Sequence, residues 1–235
     1  MGDVRSDGAF AARLLTDKVS PVSHALFSLY RLASNPGGRF PAALQDAITA
    51  YHYLLNDLAV PASRIVLSGD SAGGHIMICM LRYLAEHHHE TALPPPRAVL
   101  LWSPAVDMVA ASKPETVSGN RNYANDYLDP LFVSWGARRF VTDKPAAASY
   151  LNPLGDPFKS PCPMWVFCGG NEIFCDEITR VVEEMKSVKG TDATLKVERL
   201  ANHDIFFAGN LTGWKTEAEQ AATEAGKWLE KLPPV

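Results

Sequence analysis

Apolar positions along the chain follow two alternating rhythms. Short runs rich in branched and aromatic residues are separated by longer stretches where apolar residues recur at helical spacing. The short runs predict strands at Ala25–Leu32, Arg64–Ser68, Ala98–Trp102, Pro163–Cys168 and Ala193–Leu200. Phe10, Leu14 and Leu15 predict a helix from Ser6 to Val19, with Ser6 as its N-cap. Leu44, Ile48, Tyr51, Leu54, Leu55 and Leu58 share one face of a helix from Pro41 to Leu58, opened by proline in its first turn. Ala72–His87 reads as a helix apolar on nearly every side, as suits one packed beneath a central strand, and Leu131–Phe140 reads as another. Such alternation predicts an α/β fold: a mainly parallel sheet with helices on both faces. The 235 residues form a single domain. Residues 103–162 separate two strands by about sixty positions, too many for a simple crossover, and read as a cap or lid insertion.

One strand-to-helix seam carries chemistry. Gly69-Asp70-Ser71-Ala72-Gly73-Gly74 follows the apolar run Ile65-Val66-Leu67 directly. Gly-x-Ser-x-Gly at such a seam is a nucleophile elbow, whose sharp turn lifts a serine hydroxyl above the sheet. The backbone N–H of Ala72, at the helix start, then faces negative charge developing beside Ser71. A serine needs a base, and the base needs an orienting acid. On this architecture the chain order is serine, acid, histidine. Glu172 and Asp176 lie just past the strand ending at Cys168, and His203 lies just past the last strand. All sit where open α/β sheets collect functional groups, at the carboxyl ends of strands.

Tyr30-Arg31-Leu32-Ala33, Phe40-Pro41-Ala42-Ala43-Leu44-Gln45-Asp46-Ala47, the elbow, Trp102-Ser103-Pro104-Ala105-Val106-Asp107, Gly170-Asn171-Glu172 and Asn202-His203-Asp204 together resemble successive motifs of the hormone-sensitive-lipase-like α/β-hydrolases. The resemblance runs from about residue 22 to the C-terminus. It implies an α/β-hydrolase fold and a serine carboxylesterase acting on small or medium esters, with no metal and no organic cofactor. The family's acid is usually the first Asp of an Asp-Pro-Leu-x-Asp run. That position falls on Glu172, the preferred acid, and the last Asp of the run falls on Asp176, the alternative. Asp176 also suits the first turn of a helix, where it complements the dipole. Asp204 stands where the family often has Gly, and it either caps the turn or adds charge near His203. Arg31 and Asp46 read as a structural ion pair. Asp70, Trp102, Tyr123, Tyr127, Phe174 and Phe206 read as substrate-pocket residues, each aromatic also suiting the core.

The family's His-Gly-Gly-Gly loop, which supplies further oxyanion N–H groups, has no counterpart here. Counting back from Tyr30 places its remnant at Gly2, so the N-terminal strands of the fold are expected to be missing. Three readings stand: a fragment, a shortened relative with a rearranged sheet or a partner's donor strand, or a different alignment of the first thirty residues. The open sheet favours pairing with a second copy as a homodimer. A non-catalytic binding protein on the same fold is the alternative function.

Composition narrows the partners. Net charge is −4 and 47% of residues are hydrophobic, so no basic surface invites nucleic acid or anionic lipid, and the chain is not disordered. No apolar run reaches the length of a membrane span, and no basic-then-apolar leader opens the sequence. Cys79, Cys162, Cys168 and Cys175 lack zinc or redox spacing and read as buried thiols, which favours a reducing, cytoplasmic compartment. His87-His88-His89 point in different directions on a helix and do not make a metal site.

Overall fold

The computed structural model describes residues 8–233. Ser6 as an N-cap and Gly2 as an oxyanion donor lie outside the described residues. In chain order the elements are α1 (Gly8–Asp17), α2 (Ala42–Asn56), β1 (Val66–Asp70), α3 (Ser71–Thr91), β2 (Ala98–Trp102), α4 (Met108–Ala111), α5 (Pro114–Ser118), α6 (Pro130–Phe140), α7 (Ala148–Leu151), β3 (Met164–Gly169), α8 (Cys175–Ser187), β4 (Ala193–Glu198), α9 (Ile205–Thr212) and α10 (Lys215–Lys231). The four strands form one parallel sheet in the order β1-β2-β3-β4.

Side-chain alternation along the strands splits the core in two. Ala98, Leu100, Trp102, Trp165 and Phe167 point to one face and pack with Phe10, Leu14, Ile205, Ala221, Ala222 and Leu229 from α1, α9 and α10. Val99, Leu101, Met164, Val166 and Cys168 point to the other and pack with Ile78 and Leu81 of α3 and Ile178, Val181, Val182 and Met185 of α8. Both faces are therefore dry, which is why β2 and β3 are apolar at every position rather than alternating. The α2 helix closes over α3 through Leu44, Ala47 and Tyr51.

Residues 103–162 hold α4 to α7 and no strand. They are stitched to the body by Phe140, which meets Phe40 edge-on at 5.7 Å while its carbonyl accepts from the Phe40 N–H at 3.0 Å. Among the described residues, no helix is long and apolar enough to cross a membrane.

Ala25–Leu32 is not a strand, which corrects the sequence expectation. Its apolar residues join no ladder: among the described residues the open edge of β1 stays unpaired, and Leu26, Phe27 and Leu29 face solvent, Leu29 at 81% exposure. A strand owes its stability to its neighbours rather than to its own sequence. The segment is held by side chains instead. The Arg31 backbone N–H donates to Asp46 Oδ2 at 2.7 Å, and the guanidinium grips the same carboxylate at 2.9–3.0 Å. This ion pair is the one the sequence suggested.

Because Leu29 contributes no packing, Leu29→Lys is expected to change stability by no more than about 0.5 kcal/mol. Leu100→Ala, at the fully buried centre of the sheet, is expected to cost about 2–5 kcal/mol. Urea midpoints at constant slope read both. A loss at Leu29 as large as that at Leu100 would show that the segment packs in solution.

Candidate active site

Each strand places one residue of the candidate site at its carboxyl end. Ser71 follows β1 directly, Ser103 follows β2 directly, Glu172 lies just past β3 and His203 just past β4. The elbow is sharp because Ser71 adopts φ +47° between an extended Asp70 and the first turn of α3. A left-handed non-glycine residue costs roughly 1–2 kcal/mol. The turn closes only with glycine at Gly69, where a Cβ would lie 2.5 Å from the Gly73 carbonyl oxygen. Gly74 brings α3 against Pro104, whose Cβ would sit 2.7 Å from an added methyl. Ser103 (φ +45°) and Asp204 (φ +50°) share the left-handed conformation, so strained backbone gathers at this end of the sheet.

His203 Nε2 lies 2.9 Å from Ser71 Oγ. On the other side of the ring, Nδ1 lies 3.5 Å from Glu172 Oε1. Glu172 has no exposed surface. Its second oxygen accepts the Ser103 hydroxyl at 2.6 Å and the Gly169 N–H at 2.7 Å, which fixes the carboxylate and leaves Oε1 for the histidine. Burial pulls the His203 pKa down. The Glu172 carboxylate 3.5 Å from the ring, with the carboxyls of Asp204 and Asp126 behind it, outweighs burial and carries it up to about 9. His75, one turn into α3, is the opposite case. Burial pushes it down to about 4, so it stays a neutral core imidazole whose Nδ1 bonds the Ala105 carbonyl at 2.9 Å.

Residues outside the sequence candidates hold these groups in place. Asp126 joins the acid and histidine loops: one oxygen accepts the His203 N–H at 3.2 Å and the other the Ile173 N–H at 2.9 Å. Asn122 Nδ2 donates to the carbonyls of Glu172 at 2.9 Å and Gly170 at 3.1 Å. Asn120 Nδ2 donates to the Ile173 carbonyl at 2.8 Å. Their only signal in the sequence was the polar, aromatic character of the 120–127 stretch, and Ser103 was visible only as part of its motif. Asp204 caps α9, accepting from the Phe207 N–H at 3.2 Å, while its own N–H donates to Ser103 Oγ at 3.1 Å. It also faces Asp70, and burial raises the carboxyls of both. The turn cap considered for this residue is thus present.

The structure separates the remaining candidates. Asp176 points away from the histidine, is 57% exposed at its side chain and pairs with Arg121 at 2.6 Å. Its carboxyl is held below the usual range by the Arg121 hydrogen bond. A residue so placed in the first turn of α8 does not reach the imidazole, and Glu172 does. Trp102 and Phe206 are corrections too. They are 0% and 3% exposed and stack on each other at 4.0 Å in the core, with Trp102 Nε1 bonded to Ser68 Oγ at 3.1 Å. Their place on the inward face of β2 and at the start of α9 buries them beneath the site. Phe174 meets the His203 ring edge-on at 5.3 Å, and the half-exposed Tyr127 lies 6.3 Å from it, so these two do border the site. Tyr123 sits in the same stretch, 40% exposed. Asp70 lies beside Ser71, and Ala72 offers an N–H in the first turn of α3, where no intrahelical acceptor exists.

Residues 5–207 match the family Abhydrolase_3, described as alpha/beta hydrolase fold. The chain is 28% identical over 165 residues to an acetyl-hydrolase of Streptomyces hygroscopicus, an overlap of 68% of this chain and 51% of that protein. It is 29% identical over 132 residues to an ethyl acetate hydrolase of Pseudomonas putida, covering 54% of this chain and 37% of that one. The chain thus spans about half the length of the first relative and less of the second. An esterase from the bacterial hormone-sensitive lipase family superposes with a TM-score of 0.76 at 27% identity, over 97% of this chain and 73% of its own. EstE5, from a crystal soaked with ethyl alcohol, gives 0.77 at 25% identity, over 98% and 72%. The family match covers most of the chain and includes the elbow, the acid loop and the histidine, so this chain belongs to the Abhydrolase_3 family of the α/β-hydrolase fold, in keeping with its resemblance to the hormone-sensitive-lipase-like carboxylesterases.

Proposed function

We propose that the protein is a serine carboxylesterase that hydrolyses small or medium esters through an acyl-enzyme on Ser71. The observation that carries this reading is the continuous line from Ser71 Oγ through the His203 imidazole to the buried Glu172 carboxylate. The relatives named for acetyl-ester hydrolysis support the same substrate class.

In this reading His203 Nε2 takes the Ser71 proton as Oγ attacks the ester carbonyl, and Glu172 stabilises the imidazolium that forms. The Ala72 N–H donates to the developing oxyanion, favoured by the positive end of α3. His203 then returns its proton to the leaving alcohol, and water repeats the sequence on the acyl-enzyme. The helical segment 103–162 acts as the wall over the site, with Tyr127 flanking the histidine beside Phe174.

With p-nitrophenyl acetate as substrate, Ser71→Ala is expected to lower kcat by at least about 10³-fold. Glu172→Gln is expected to lower it by about 10²–10⁴-fold. Asp176→Asn, which removes only a surface ion pair, should stay within about threefold of wild type. Equal rates for wild type and Ser71→Ala would leave ligand binding without catalysis as the function of the fold.

Only neutral His203 can accept the serine proton, so kcat/KM should fall as pH drops through about 9. Glu172→Gln removes the main influence raising that pKa, so the midpoint should move to lower pH. A pH profile of both proteins decides this, and an unmoved midpoint in the variant would count against the assigned pair.

A further inference from the structure

The loop that carries Glu172 is bracketed by two sulfurs. Cys168 lies near the end of β3 and Cys175 is the first residue of α8, so all of Gly169–Phe174 lies between them. Their Sγ atoms are 4.0 Å apart, with the Cys168 thiol directed at the Cys175 sulfur. Both are free thiols. We propose that Cys168 and Cys175 form an oxidation site: a hydroperoxide converts the pair to a disulfide that clamps the acid loop and slows the reaction at Ser71. The effect on rate rests on the esterase reading; the disulfide does not.

The two sulfurs are unequal, as such chemistry needs. Cys175 sits at a helix N-terminus and is 7% exposed, while Cys168 is fully buried. The hydrogen bond from Cys168 lowers the pKa of Cys175, and the same bond together with burial raises that of Cys168. Cys175 is therefore the attacking thiolate and Cys168 the resolving thiol. Cys79 and Cys162 have no such arrangement. Cys79 bonds the Tyr150 carbonyl at 3.3 Å, and burial pushes its thiol up; burial likewise raises Cys162, to about 12.

The chemistry balances. The Cys175 thiolate attacks one oxygen of the hydroperoxide and breaks the O–O bond. The leaving alkoxide or hydroxide takes up a proton, and Cys175 becomes a sulfenic acid. The Cys168 sulfur then attacks the Cys175 sulfur, releasing its proton, and hydroxide departs as water. Two thiols lose two electrons and the peroxide gains them. With hydrogen peroxide the products are one disulfide and two waters.

The disulfide requires the sulfurs to close by about 2 Å, to a bond of about 2.05 Å. Strand β3 is paired on both sides, by β2 and β4, so the first turn of α8 is the side that yields. Its N-cap Phe174 meets the His203 ring, and the Cys175 N–H at its start donates to the Glu172 carbonyl at 3.3 Å. Shifting it displaces the carboxylate from an imidazole already 3.5 Å away. Displacements near 1 Å at such a centre change rates by up to about 10²-fold.

The test uses the full chain, reduced and then treated with hydrogen peroxide. Peptide mapping under non-reducing conditions should find the peptides of Cys168 and Cys175 linked with a mass loss of 2 Da relative to the two thiols, the mass of two hydrogens. Hydrolysis of p-nitrophenyl acetate should fall about tenfold or more and return with dithiothreitol. Cys168→Ala, which lacks the resolving thiol, should form no linked peptide and show no dithiothreitol-reversible loss of this size. Absence of the linked peptide in wild type overturns the inference, as does a linked peptide with unchanged hydrolysis. Hydrolysis that survives Ser71→Ala overturns the esterase reading instead and leaves the peptide map to decide the disulfide.

Discussion

A carboxylate without exposed surface must be satisfied from within the protein, and Glu172 sets that demand for the whole carboxyl end of the sheet. Its charge is met by the Gly169 N–H, the Ser103 hydroxyl and the His203 ring. Each comes from a different strand end, so the sheet must hold β2, β3 and β4 in register before the charge is stable. The same carboxylate raises the basicity of His203, and through His203 it reaches Ser71. Structure and chemistry share one set of hydrogen bonds here.

That dependence explains the insertion between β2 and β3. Asp126, Asn120 and Asn122 come from this helical segment and occupy the N–H and carbonyl groups of the two loops that bear Glu172 and His203. Without Asp126 the Ile173 and His203 N–H groups would be orphaned beside a buried charge, each at a cost of about 1–3 kcal/mol. The segment is therefore part of the site's support as well as its wall. The sulfur pair at the base of the acid loop extends this picture, because it lies where a small movement reaches the carboxylate.

Of the five non-glycine residues with left-handed backbone among the described residues, three lie in the candidate site. Ser71, Ser103 and Asp204 all hold left-handed backbone, and each sits at the end of a strand or the start of a helix in the site. The packed core beneath supplies the constraint. Trp102 stacked on Phe206 fills the space directly under this end of the sheet, between β2 and α9. Reading those rings as pocket residues mistook a foundation for a lining. Their apolar character is the same in both roles, and only burial separates them.

The sequence by itself determined four of the strands, the elbow pattern and the chain order of the candidate serine, acids and histidine. These are local matters: glycine spacing at a turn, apolar periodicity, and the position of polar residues just past apolar runs. It left Glu172 and Asp176 as rival acids, since both lie just past β3. Tertiary structure separates their positions: the first turn of α8 carries Asp176 outward to Arg121, while the preceding loop folds Glu172 beside His203. It also decided that Ala25–Leu32 is no strand, for a strand exists only where a neighbour pairs with it, and among the described residues none pairs with this segment. The support from Asp126 and Asn122 was beyond reach for the same reason. Hydrogen bonds across 77 and 50 residues of chain leave no periodicity, and they come into being only when the fold closes.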